Sequence, residues 1–344
     1  MPLIEFTDKG FYCREGDFYI DPWKPVNKAL ITHAHSDHAR WGSNLYLCHK
    51  DTKPLLQHRL GTNQIQSLEW NQSIYINGVR VTFYPAGHII GSSQIKVESN
   101  GEIWVLSGDY KLENDGYSGQ FEPVKCHNFI TESTFGLPIY NWKLQDDIYS
   151  GIKNWIRKNQ SEGKTSVLIA YSLGKAQRLL KPISEVTDKI FVHGAVFNIH
   201  MTLVNAGWKL PFVQRVNPDD PKDLFKGSVV IAPSSAEGSP WLKRFLPYEI
   251  GICSGWMQVR GNVRRKNADA GFALSDHADW QGLLSACKAT EAECIYSTHG
   301  FQSAFTRYLN EHGINAREVK TEYGDDETID DTSVTSEDET VAHD

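Results

Sequence analysis

Residues 33–38 read His33-Ala34-His35-Ser36-Asp37-His38, directly after the short apolar run Lys28-Ala29-Leu30-Ile31-Thr32. That run has the character of a buried strand whose end carries the cluster. In an extended chain alternate side chains face the same way, so His33 and His35 can address one metal ion while Asp37 and His38, around the following bend, address a second. Imidazole nitrogen and carboxylate oxygen are ligands that zinc accepts, with manganese or iron open where oxygen ligands are more numerous. Four such groups in six residues have little structural use, because desolvating them together without a cation is costly. Each bound histidine would be neutral and would need an acceptor at its other ring nitrogen.

Residues further along supply what this cluster lacks. Gly87-His88, followed by Gly91-Ser92, offers an imidazole in a glycine-flexed turn. Ser107-Gly108-Asp109 offers a carboxylate at a strand end, and Ser297-Thr298-His299-Gly300 a last imidazole. One arrangement uses them all: His33, His35 and His88 on the first ion, Asp37, His38 and His299 on the second, and Asp109 bridging. Two divalent ions roughly 3.5–4 Å apart generate a nucleophile from water at neutral pH and clamp a phosphoryl oxygen. The expected chemistry is therefore phosphodiester hydrolysis. Its leaving alkoxide needs a proton, for which His277 in Leu274-Ser275-Asp276-His277-Ala278-Asp279 is the candidate acid. Glu132 is the carboxylate expected to keep that imidazole protonated.

The pattern of elements predicts two kinds of region. Strands are expected near Val79–Tyr84, Ser93–Glu98, Ile103–Leu106 and Asn128–Thr131, with His88, Asp109 and Glu132 just after three of them. From about Asn141 helices alternate with strands, as in a compact α/β unit. After Ala268 single histidines again follow short strands, at Phe272–Ser275 and Cys294–Ser297. The expectation is one metal-bearing domain, residues 1–140 and 268–320, interrupted by an inserted domain at 141–267. The hexapeptide Ser161–Ser166 (SEGKTS) resembles the end of a phosphate-binding loop, but the required earlier glycine is Lys158, and the segment precedes a strand instead of following one.

A hydrophobic content of 40 % in 344 residues is enough to bury sizeable cores. No basic stretch leads into an apolar one near Met1, and nowhere do about 18 apolar residues run together. Six scattered cysteines without a CxxC pair read as reduced thiols. The expected compartment is the cytoplasm. The net charge of −7 is unevenly spread: residues 321–344 hold ten acidic groups and no Lys or Arg, leaving 35 basic and 32 acidic groups in the rest. The body is mildly basic, and residues 321–344 have the composition of a disordered acidic tail.

These motifs, in this order, resemble the metallo-β-lactamase superfamily and, within it, the β-CASP nucleases. HAHSDH is similar to the family's second motif, His88 to its third and Asp109 to its fourth. Glu132 in Thr131-Glu132-Ser133-Thr134 resembles motif A of the β-CASP branch, His277 motif B and His299 motif C. Asp21 stands where the family has an aspartate that supports the metal ligands without binding the ions. Tyr171–Arg178 (YSLGKAQR) is similar to the opening helix of the β-CASP cap. The resemblance covers about residues 10–320 and implies an α/β fold: an αββα sandwich with an α/β cap inserted.

More narrowly, Gly255–Arg265 (GWMQVRGNVRR) and Phe272–Trp280 (FALSDHADW) resemble bacterial ligase-associated DNA exonucleases, repair enzymes encoded beside an ATP-dependent DNA ligase and a helicase. That likeness implies a DNA substrate and, with the other DNA-processing relatives, 5′-to-3′ exonuclease action, while the ligand types themselves point to two divalent ions, zinc first and manganese second. Motif C points the other way, since the Artemis-like DNA nucleases usually carry Val there and the RNA-processing members His, as in His299. A β-CASP ribonuclease is thus the alternative, and a non-catalytic DNA-end-binding subunit a further one. Lys175, Arg178, Arg260, Arg264, Arg265 and Lys266 are the candidate contacts to nucleic-acid phosphates, set against the plain reading of solvated loops.

Overall fold

The structure, a computed structural model, describes residues 2–259, 261–262 and 268–323. The described residues divide into two compact units, one formed by 2–141 and 276–323, the other by the described part of Trp142–Ser275.

The first unit is built on two mixed sheets. One has six strands in sequence order: β1 (Ile4–Phe6), β2 (Phe11–Cys13), β3 (Phe18–Ile20), β4 (Lys28–Leu30), β5 (Leu45–His49) and β6 (Ile65–Leu68). The other contains β7 (Ser73–Ile76), β8 (Val79–Pro85), β9 (Ser93–Ser99), β10 (Glu102–Leu106), β11 (Asn128–Ser133), β18 (Cys294–Gly300) and β19 (Ala316–Glu318), ordered β19-β18-β11-β10-β9-β8-β7. Phe11, Phe18, Ile20, Leu30 and Leu47 from the first sheet share one core with Val81, Phe83, Ile95, Trp104 and Ile130 from the second, so the sheets pack face to face. Each such buried side chain contributes roughly 1.5–3 kcal/mol. The opposite face of the second sheet, with Val105, Phe129 and Ile295, is covered by helices α5 (Trp280–Ala289) and α6 (Gln302–Glu311) through Trp280, Leu283, Phe305 and Leu309. Helix α1 (Lys53–Leu60) buries Leu55 and Leu56.

Two features of these sheets position the site. Strands β10, β11 and β18 are parallel neighbours, so their carboxyl ends, and the residues just beyond them, lie along one edge. Within the β11–β18 pair the register shifts between Thr131 and Ser133, opposite Ser297 and Gly300. This bulge falls where Glu132 and His299 sit; bulges commonly re-aim side chains beside active sites.

The second unit is a six-stranded sheet, all of whose pairs are parallel, ordered β14-β13-β15-β12-β16-β17. Its strands are β12 (Thr165–Ile169), β13 (Ile190–Val192), β14 (Gln214–Arg215), β15 (Val229–Ala232), β16 (Tyr248–Cys253) and β17 (Ala270–Phe272). Helices α2 (Gln145–Ser161), α3 (Lys175–Ser184) and α4 (Gly194–Asn205) contribute to the core on one face, and short 3-10 turns carrying Phe225, Leu242 and Phe245 to the core on the other. A parallel sheet buried on both faces explains its run of apolar strands such as Val229–Ala232.

Two expectations are corrected here. The strand expected at Phe272–Ser275 is β17, Ala270–Phe272, and it extends the sheet of the second unit by pairing with Gly251–Cys253. His277 is carried by the irregular segment that follows, just before Asp279 caps α5 by accepting the Gly282 amide at 2.8 Å. The acidic tail was expected from residue 321, yet Tyr323 packs against the core between the two sheets. Among the described residues no helix is long and apolar enough to cross a membrane.

Candidate metal centre

His33, His35, Asp37, His38, His88, Asp109, Glu132, His277 and His299 are all buried, and all belong to the first unit. The chain reaches this place from the segment that follows β4 (Thr32–His38), from the β8–β9 connection (His88), from just beyond β10 (Asp109), and from the ends of β11 and β18 (Glu132, His299). Ligand atoms of His33, His35, His88 and Asp109 lie within 4.8 Å of one another, as do those of His38, Asp109 and His299. Asp109 belongs to both groups. Its Oδ2 is 3.5 Å from His33 Nε2, 3.6 Å from His38 Nε2 and 3.8 Å from His88 Nε2, and its Oδ1 is 3.0 Å from His299 Nε2. Asp37 Oδ2 stands 3.5 Å from His38 Nε2.

The hydrogen bonds behind these rings set their tautomers. His38 Nδ1 donates to Asp21 Oδ2 at 2.8 Å. His88 Nδ1 donates to the Asp276 carbonyl at 2.9 Å. Thr32 gives its hydroxyl proton to Asp21 Oδ2, so that hydroxyl accepts from His33 Nδ1 at 3.0 Å. The same relay recurs at the other edge, where the Thr298 hydroxyl donates to the Thr131 carbonyl and accepts from His299 Nδ1 at 3.1 Å. Whenever one of these imidazoles is neutral its proton is thereby on Nδ1, leaving on Nε2 a lone pair on the side of Asp109, where His88 Nε2 also meets His35 Nδ1 at 3.1 Å.

This arrangement fits metal ions. The Nε2 atoms of His33 and His38 are buried without a hydrogen bond, a costly state unless a cation takes up the lone pairs. Burial, reinforced by neighbouring His38, pushes His33 well below the usual histidine range. Burial, with His277 nearby, pushes His88 down to about 3. Both are thereby held in the neutral form, the one that can ligate a metal ion. Burial also opposes charge on His38, but the carboxylates of Asp37, Asp109 and Asp21 outweigh it and raise this imidazole well above its usual range. His299 is likewise raised against burial, chiefly by Asp109. The carboxylates of this half of the site demand positive charge, which a divalent cation supplies more fully than a proton. The buried His/Asp cluster could hold metal ions.

Beside it lies an acid–base pair. His277 Nδ1 is 3.0 Å from Glu132 Oε2, and Glu132 Oε1 accepts the Tyr110 amide at 2.8 Å. Burial disfavours the imidazolium, yet Glu132, with Asp109 and Asp276, overcomes it and lifts His277 to about 10. The ring is 4.6 Å from that of His88, centroid to centroid.

Asp21, the expected supporting aspartate, is buried and holds both Thr32 and His38; its amide N–H aside, its carboxylate also accepts the Thr32 amide at 2.8 Å. The basic residues are not gathered in the same way. Lys175 and Arg178 are each only 2 % exposed, and Arg178 Nη1 donates to Gln145 Oε1 at 3.2 Å. Buried in this way, they do not form the solvated basic face that the sequence suggests. Arg260, Arg264, Arg265 and Lys266 lie outside the described residues.

Three contributors escaped the sequence reading. Thr32 and Thr298 each precede a ligand histidine, and the repeated Thr-His at two strand ends was the available signal. Tyr323 stacks on His38 with centroids 4.4 Å apart and planes 11° apart. Nothing in its acidic neighbourhood marks it.

No family model matches the chain. It is 30 % identical over 322 residues to a protein of Opitutus terrae named probable DNA ligase, a match covering 92 % of this chain and 31 % of that protein. It is 30 % identical over 125 residues to endoribonuclease YSH1 of Yarrowia lipolytica, covering 36 % of this chain and 15 % of that one. Cleavage and polyadenylation specificity factor subunit 3 of Dictyostelium discoideum is 28 % identical over 126 residues, 36 % of this chain and 16 % of its own length. The chain thus spans a third or less of each of these relatives. A solved structure of a protein of unknown function from Enterococcus faecalis shares the fold, with a TM-score of 0.60 at 14 % identity over 86 % of this chain and 80 % of its own.

Proposed function

We propose that this chain is a metal-dependent phosphodiesterase of the metallo-β-lactamase and β-CASP type that degrades DNA from its ends, in the 5′-to-3′ direction. The reading rests above all on one observation: four imidazoles turned by their Nδ1 hydrogen bonds so that each Nε2 faces Asp109, with the Glu132–His277 pair alongside. In this reading the first unit, which ends at Asn141 and resumes at Asp276, is the metallo-β-lactamase domain, and Trp142–Ser275, which takes in β17 beyond the expected limit of 267, is the β-CASP cap.

His33, His35 and His88 would hold one ion and Asp37, His38 and His299 the other, with Asp109 a ligand available to both. Two bound divalent ions, zinc or manganese, supply Lewis acidity towards water and the phosphoryl oxygens. Asp21 and Thr32 keep His33 and His38 in the tautomer that ligates. His277, kept protonated by Glu132, delivers a proton to the leaving alkoxide, a contribution of roughly 10²–10⁴-fold. Small-molecule hydrolysis is less well served, because a thioesterase or lactamase needs neither that pair nor a large inserted domain.

Similarity along most of the chain to a protein named as a probable DNA ligase supports DNA as substrate; action beside an ATP-dependent ligase and a helicase is part of the proposal and rests on the resemblance of Gly255–Arg265 and Phe272–Trp280 alone. The endoribonuclease matches, and His299 at the position of motif C, favour the second reading, a ribonuclease. A matrix of zinc, manganese and magnesium against end-labelled DNA and RNA, with Asp37→Ala as the blank, separates them. Progressive shortening of DNA from its 5′ end is expected. Cleavage of RNA alone establishes the second reading, while metal-replete protein that binds DNA ends without cutting either polymer leaves an end-binding subunit.

A further inference from the structure

We propose that Tyr323 is a positioning residue for the metal group formed by His38, Asp109 and His299, an inference that rests on the metal-centre reading above. Its ring lies parallel to the His38 imidazole, 4.4 Å away, and meets His299 edge-on at 5.6 Å and 83°. Its hydroxyl donates to the backbone carbonyl of Asp21 at 3.0 Å. Asp21 in turn accepts from His38 Nδ1 at 2.8 Å. One side chain therefore constrains the same imidazole twice, through its face and through the residue that fixes its tautomer.

The constraint has something to oppose. Asp21 adopts φ +41°, a left-handed conformation that non-glycine residues hold only when their surroundings enforce it. Tyr323 is itself held. Trp23 packs edge-on at 5.6 Å and Phe11 lies tilted against it at 6.1 Å. The backbone leading to it is tied by Arg40 Nη2 to the Glu322 carbonyl at 3.4 Å and by Gln302 Nε2 to the Val319 carbonyl at 3.1 Å. Both imidazoles that its ring touches belong to one metal group, so its influence falls on one ion of the two.

The test is zinc binding by the full-length chain, stripped of metal and titrated against a chromophoric chelator, with His33→Ala and His38→Ala identifying the two ions. In Tyr323→Leu the ion lost in His38→Ala is expected to bind about 10- to 100-fold more weakly, with the other ion unchanged. Tyr323→Phe keeps the stack and shows a smaller loss. Tyr323→Leu that binds both ions as the parent does, or weakens both equally, overturns the proposal. If Tyr323→Leu fails to fold, Tyr323→Phe decides: parental affinity for that ion overturns it. A parent chain that takes up no zinc, or a His38→Ala variant with undiminished uptake, defeats the metal-centre reading and this inference with it.

Discussion

Glu132 grips His277 from behind: its Oε2 meets His277 Nδ1 at 3.0 Å while its Oε1 is pinned by the Tyr110 amide. In the proposed reaction the imidazole can serve as an acid only while protonated, and Glu132 outdoes burial to lift it to about 10. Replacing that charge lowers the pKa, so the protonated fraction falls at a lower pH. Glu132→Gln is therefore expected to move the alkaline limb of the pH–rate profile downward by about 1–3 units, with zinc content unchanged. An alkaline limb in the parental position removes Glu132 from the role. His277→Ala is expected to lose roughly 10²–10⁴-fold in kcat.

Asp109 is the point where the two metal groups meet, and the four imidazoles do not contribute to it equally. Removing it takes a ligand from both groups, whereas removing His33 takes one from a single group. Asp109→Ala is expected to retain neither ion and His33→Ala to retain one, as measured by mass-spectrometric metal content. Chelation of the parent is expected to abolish nuclease activity and lower Tm, with zinc or manganese restoring both. Cutting that persists in excess chelator defeats the mechanism.

Gly108 turns the chain at φ +55° just before Asp109, and a Cβ there would stand 2.6 Å from Thr32 Oγ1. Thr32 is the hydroxyl between His33 and Asp21, so the clash falls on the metal centre's support. Gly101, at φ +82°, has open space around the same position. Gly108→Ala is expected to cost about 1–3 kcal/mol in urea unfolding and to weaken zinc binding. Gly101→Ala carries the backbone strain alone and leaves zinc binding intact; equal effects of the two on zinc binding defeat the argument.

The ligand cluster was legible because six adjacent residues carried most of it, and the strands ending in His88, Asp109 and Glu132 announced themselves by apolar runs bounded by glycine. Strands β1 to β3 were not, since three-residue strands leave too little pattern to detect. Sheet membership was also hidden: nothing in Ala270–Phe272 says that it pairs with Gly251–Cys253. Lys175 and Arg178 read as surface charges because sequence shows residue type and not burial. Tyr323 acts on Asp21 across 302 residues of chain, a contact that only the folded sheets create.

Beyond Tyr323 nine of the 21 residues are acidic and none is Lys or Arg, and removing residues 325–344 reverses the net charge from −7 to positive. A polyanionic tail on a mildly basic body competes with nucleic acid for the same cationic groups. Deletion of 325–344, which leaves Tyr323 in place, is expected to tighten DNA binding severalfold near 50 mM salt. The difference should shrink towards 200 mM, while zinc content and kcat stay at the parental value. Fluorescence anisotropy at several salt concentrations reads this directly. Weaker binding in the truncated chain assigns the tail a docking role, and an effect independent of salt removes the electrostatic account.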